Sequence, residues 1–135
     1  MNSYKSLEQK ATEPVKKLSR QSRIYKAVLN AVAEKKSENI VVLDLRKVHE
    51  AVADFFVICE ATTTTQVKAI SDNVYDKVLE DTGERPHRTE GFTNAKWIVV
   101  DYINIVIHIM LPEARQFYRL EEMWHDAPME KIKEQ

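Results

Sequence analysis

Residues 95–109, AKWIVVDYINIVIHI, are nearly all apolar, yet Trp97, Asp101 and His108 are set among the β-branched side chains. A run of this composition predicts sheet, and side chains alternate across a strand. Trp97, Val99 and Asp101 therefore share one side, and Ile98, Val100 and Tyr102 the other. With a chain reversal at Ile103-Asn104, residue 101 falls opposite 106, 99 opposite 108 and 97 opposite 110. One face of this hairpin is then Ile98, Val100, Tyr102, Ile105, Ile107 and Ile109, a core face expected to lie under helices. The other is Trp97, Val99, Asp101, Val106, His108 and Met110. A four-residue loop keeps the same sorting.

The second face is mixed. A solvated face seldom carries Trp and Met beside two valines, and a buried one seldom holds a carboxylate without a partner. The mixture suits a docking surface, with an apolar anchor and a few polar groups that set register. Burying an indole against a partner removes roughly 150–250 Å² from water. The bland alternative is that a helix of the same chain covers this face and His108 is a satisfied core histidine. Pattern alone leaves both open.

Outward from the hairpin, the chain alternates strand and helix signals. Ile24, Ala27, Val28, Ala31 and Val32 recur at helical spacing after Ser22, and Lys35 and Lys36 suit the end of that helix. IVVLDL (40–45) and DFFVICE (54–60) read as strands. In 62–83, Thr63 and Gln66 have capping-box spacing, Val67, Ile70, Val74 and Val78 form an apolar stripe, and Gly83 supplies a stop. Residues 84–94 read as loop with a short edge strand up to Glu90. Pro112 opens a helix in which Ala114, Phe117, Leu120 and Trp124 share a face. Residues 1–21 are expected to form a flexible basic extension and 126–135 a polar C-terminal tail. The reading is one α/β domain, a mixed β-sheet flanked by helices.

At 135 residues, 44% hydrophobic and 30% charged, the chain has the make-up of one globular domain with its own core. The single cysteine, Cys59, excludes an internal disulfide and fits a reducing compartment. No apolar run reaches the roughly 20 residues of a membrane helix, and no leader pattern opens the chain, so a cytoplasmic location is expected. Charge is uneven. Residues 1–26 carry seven Lys/Arg against two Glu, a balance of +5, which leaves −6 on the other 109 residues of a chain of formal charge −1. Such an arm can graze nucleic-acid phosphates, or simply be solvated.

Most enzyme chemistries fail on inventory. Two glycines, Gly83 and Gly91, cannot build a glycine-rich phosphate loop. His49, His87, His108 and His125 are scattered, and Glu122 with His125 gives one Glu-x-x-His where di-metal sites need two. No metal and no cofactor is expected. Cys59 in an apolar strand reads as structural. Asp44 and Asp54, near the ends of neighbouring strands, are the one carboxylate pair that phosphoryl transfer would use, and without a phosphate cradle they read better as strand-end polar residues.

Several runs taken together, in order and correctly spaced, resemble one family. ADFFVICEATTTTQVKAISDNV (53–74), EG (90–91), AKWIVVDY (95–102), IVIHIM (105–110) and EARQFYRLEEMW (113–124) are similar to the ribosomal silencing factor, or Iojap-like, family over residues 22–125. The resemblance implies a nucleotidyltransferase-like fold without the catalytic motifs, and a protein that is not an enzyme. It implies binding to the large ribosomal subunit through ribosomal protein L14, blocked joining of the small subunit and repressed translation. The family's strand Trp and Asp, which contact the ribosomal protein, fall on Trp97 and Asp101. Val99, His108 and Met110 would extend that patch, and Glu90 and Gly91 would shape the start of the strand. The basic arm would add peripheral rRNA contact, and a homodimer of the free protein stays open. The alternatives are a small Mg-dependent nucleotidyltransferase using Asp44 and Asp54, or a direct rRNA-binding assembly factor led by the arm. Three positions depart from the family: Ile103-Asn104 replaces its usual Gly-Asp turn, Ala61 its glycine, and Thr65 its arginine.

Overall fold

The computed structural model describes residues 17–133. Its elements are α1 (Arg23–Glu34), β1 (Glu38–Asp44), β2 (Phe55–Glu60), α2 (Thr64–Thr82), β3 (Arg88–Glu90), β4 (Trp97–Asp101), β5 (Ile105–Met110), α3 (Pro112–Tyr118), α4 (Leu120–Met123) and β6 (Met129–Lys131). Both long helices start where local chemistry satisfies a free amide. Ser22 Oγ accepts from the Tyr25 amide, and Thr63 Oγ1 from the Gln66 amide. Gly83, at φ 77°, closes α2 in the left-handed conformation that costs glycine least.

The six strands form one mixed sheet in the order β3-β4-β5-β2-β1-β6. Only β2 and β5 run parallel, and the crossover between them carries α2 and the β3–β4 hairpin. The helices α1 and α2 pack on one face. There Val28, Ala31, Val67, Ile70 and Val74 meet Val57, Ile98, Val100, Ile105, Ile107 and Ile109 in the main core. The hairpin face sorted as core is therefore covered by these helices.

The opposite face holds a second core in which Val41, Leu43, Phe56, Ile58, Val106 and Met110 lie with Leu120, Ala127 and Trp124. The segment after Pro112 makes this cover, but not as one helix. Arg119, at φ 48°, ends α3 and turns the chain into α4. That break overturns the expectation of a shared helical face: Leu120 is buried, while Phe117 is 79% exposed.

Two further segments differ from their sequence reading. Met129–Lys131 is not free tail but an antiparallel edge strand on β1, pairing Met129 with Leu43 and Lys131 with Val41. Of the expected N-terminal extension, residues 1–16 lie outside the described residues. Residues 17–21 run against the body, where the Leu18 amide donates to Asp54 Oδ2 over 2.8 Å and Arg20 reaches Asp44 at 3.4 Å.

Candidate protein-docking surface

The β4–β5 ladder pairs Trp97 with Met110, Val99 with His108 and Asp101 with Val106, the register that alternation predicts. These residues do not share one open surface, however. Met110 is 0% and His108 6% exposed, because the segment from α3 to Ala127 lies over β5 and β2. The expectation that His108 and Met110 extend an accessible patch is corrected on that ground. What stays partly at the surface is the same face of β4, at the margin of this cover, where Trp97 and Val99 still pack against the second core and only the three-residue β3 lies outside. Trp97, Val99 and Asp101 are half-buried there.

His108 nevertheless bears on that surface. The Trp97 indole Nε1–H donates to His108 Nδ1 over 3.0 Å. An imidazole that accepts through Nδ1 is neutral and carries its proton on Nε2. Burial pushes its pKa down to about 4, against a weaker upward pull from the Asp101 carboxylate. Phe56 packs edge-on against the ring at a centroid distance of 4.6 Å, and Nε2 has no hydrogen-bond partner.

Asp101 is engaged at both oxygens. Oδ1 accepts from the Ile103 amide at 2.7 Å, closing an Asx turn, and Oδ2 from Arg88 Nε at a long 3.4 Å. Glu90 pairs with Val99 across β3–β4, and its carboxylate meets Arg88 at 3.3 Å. Gly91, at φ 86°, lies so close to β4 that a Cβ would stand 2.0 Å from the Trp97 carbonyl oxygen.

The rim of this surface contains two residues that sequence reasoning did not assign to it. Tyr118 packs on the Trp97 ring at 4.7 Å, and Phe117 meets Tyr118 at 5.0 Å. Tyr118 is 49% exposed. With Trp97, Lys96 and Glu113 they line a groove of about 520 Å³. The signal was the adjacent aromatic pair in EARQFYRL; a continuous helix would have turned Phe117 inward.

The residues of the rival chemistry are each taken up in local hydrogen bonds and ion pairs. Asp44 is held by Arg46 through Nε at 2.9 Å and Nη2 at 2.8 Å, and the hydrogen bonds from that guanidinium keep its carboxyl below the usual range. Asp54 binds the Leu18 amide and lies 3.8 Å from Lys17. Cys59 is fully buried, and desolvation pushes its thiol up to about 12. His125 lies at the surface against the Glu122 carbonyl, while the Glu122 carboxylate faces Arg119 at 3.6 Å. Among the described residues, no group of three or more His, Cys, Asp or Glu is placed to hold a metal ion, and no helix is long and apolar enough to cross a membrane.

With this geometry in view, comparison with known proteins is decisive. A family model described as ribosomal silencing factor during starvation matches residues 18–135. The chain belongs to that family. A ribosomal silencing factor of Halalkalibacterium halodurans is 37% identical over 111 residues, spanning 82% of this chain and 92% of the relative. The Bacillus subtilis silencing factor is 36% identical over 109 residues, 81% of this chain and 91% of the relative. Among solved structures, a Chromobacterium violaceum protein superposes with a TM-score of 0.72 at 29% identity, covering 80% of this chain and 88% of that one. Membership places the mixed sheet among silencing-factor folds, and the family match takes in the 126–135 segment that adds β6.

Proposed function

We propose that this silencing-factor family member represses translation by docking on the large ribosomal subunit through ribosomal protein L14, where it sterically prevents the small subunit from joining. The docking surface in this reading is the partly exposed face of β4, Trp97, Val99 and Asp101, with Tyr118 and Phe117 at its rim. The observation that carries it is the arrangement around Trp97. On a face otherwise closed by the chain's own C-terminal segment, the indole is left half-covered beside an exposed aromatic pair. An apolar anchor ringed by polar groups is how partner surfaces concentrate their binding energy. Asp101 adds a negative group for a cationic or hydroxyl-bearing partner, since ribosomal proteins are largely basic. The role is non-catalytic and cytoplasmic.

Sedimentation tests this directly. Purified large subunits should carry the wild-type protein to the subunit peak of a sucrose gradient and hold back added small subunits. Trp97→Ala and Asp101→Ala, each shown to stay folded, should abolish both effects. Undiminished binding by both variants would remove the surface assignment. Subunit joining at the normal rate with wild-type protein bound would remove the mechanism.

A further inference from the structure

Trp97 has one polar atom, the indole N–H, which only donates. That atom is turned inward to His108 Nδ1. His108 is an odd choice for its position: its strand neighbours are aliphatic, it is buried, and its second nitrogen has no partner. A buried polar atom left unsatisfied is costly, so packing alone favours an aliphatic residue there. The imidazole's one hydrogen bond is the one to Trp97. On the other side of the problem, Trp97 lies at the margin of the covered face, where Tyr118 contacts its ring but Phe117 and Tyr118 are themselves exposed. Without a fixed acceptor, an indole in that place is free to rotate its N–H toward solvent.

We infer that His108 is a positioning residue that locks the Trp97 indole with its N–H inward, so that the part of Trp97 offered to a partner is hydrocarbon only and the group seated on it is an apolar side chain. This rests on the docking surface proposed above and names the chemistry of what it receives. A carbonyl or carboxylate has no donor to meet on Trp97; an aliphatic or aromatic side chain from the partner protein fits the groove that the ring lines with Tyr118 and Phe117. Preorganisation of this kind removes the cost of ordering a large side chain at the moment of binding.

Four variants of the full chain, assayed against purified large subunits, test the inference. His108→Leu keeps the volume but removes the acceptor, and should weaken binding roughly three- to tenfold, the cost of ordering one large side chain. His108→Asn places an amide oxygen near the Nδ1 position and should restore binding to within about twofold of wild type. Trp97→Phe keeps the apolar ring and lacks the N–H, and should lose far less than Trp97→Ala. In ¹H–¹⁵N spectra the Trp97 indole signal, assigned by its loss in Trp97→Phe, should exchange slowly with solvent in the wild type and fast in His108→Leu. A folded His108→Leu that binds as wild type, with Trp97→Ala still defective, overturns the positioning role alone. Should His108→Leu not fold, failure of His108→Asn to bind within about tenfold of wild type overturns it. Trp97→Phe losing as much as Trp97→Ala overturns the apolar partner group. Undiminished binding by Trp97→Ala overturns the docking surface and this inference with it.

Discussion

Asp101 Oδ1 accepts the backbone amide of Ile103 over 2.7 Å, and Ile103 stands at φ 73°. The Asn104 amide donates to the Tyr102 carbonyl at 2.9 Å, which makes the reversal a three-residue γ-turn centred on Ile103. A β-branched residue resists positive φ, so the carboxylate holds a turn that the sequence at 103 opposes. Ile103→Gly should therefore stabilise the protein by about 1 kcal/mol, relief of strain outweighing the added freedom of the unfolded chain. Asp101→Ala should cost about 1 kcal/mol. Asp101→Asn, which keeps the acceptor, should change stability by less than about 0.5 kcal/mol, since the ion pair it gives up is long, at 3.4 Å, and its Arg88 partner is largely exposed. Urea denaturation of the three variants decides this; an unchanged or lowered midpoint for Ile103→Gly contradicts the strain argument.

Acid should act through His108. Its folded pKa lies near 4, against an ordinary value of 6.5. Between those values the unfolded chain takes up a proton that the folded imidazole refuses, so stability falls as pH falls. This contribution is fully present above about pH 6.5 and gone below about pH 4, a change of about 3 kcal/mol. Comparing His108→Leu with wild type across that window isolates it from the carboxylates, among them Asp44. The wild-type curve should slope through the window and the variant curve should be flatter. Equal slopes would show that His108 titrates normally.

Gly91→Ala should be among the most damaging single-methyl changes in the chain. The added Cβ meets the Trp97 carbonyl oxygen at 2.0 Å, and φ is 86°, so neither contact nor backbone admits it without movement of β4. A loss of roughly 2–4 kcal/mol is expected, read as a lowered thermal midpoint. Gly83, also at positive φ but with open space around it, should lose only about 1 kcal/mol on the same substitution.

Arg115 anchors the C-terminal cover. Its nearly buried guanidinium bonds the Asn39 carbonyl at 2.6 Å, Glu60 at 3.4 Å and Glu121 at 3.1 Å. Arg115→Met keeps the aliphatic stem but leaves the nearly buried Glu60 carboxylate without its cation and, among the described residues, with only the Asn39 amide as partner, at a cost of about 2–3 kcal/mol. Adding Glu60→Gln should recover part of that loss, and the double-mutant cycle measures the coupling. Purely additive losses would show that the pair is unimportant.

Much of this molecule was readable from short-range pattern. The period of two in 97–110 sorted both hairpin faces correctly, because the pleat alternates side chains whatever lies above or below. Thr63, Gln66 and Gly83 marked α2, because helix ends must satisfy amides and carbonyls within a few residues. Family membership, too, followed from motifs in the chain. What alternation could not say is which face another segment covers. Arg119 decided that. Nothing about an arginine announces a left-handed φ, yet its turn breaks the last helix, exposes Phe117 and Tyr118, and brings Leu120 and Trp124 over Phe56 and Val106. Pairing of β6 with β1, and the burial of His108 behind Trp97, follow from contacts between residues far apart in the chain. Local propensity is written in neighbouring side chains; coverage of a sheet face is settled only when distant segments compete for the same apolar surface.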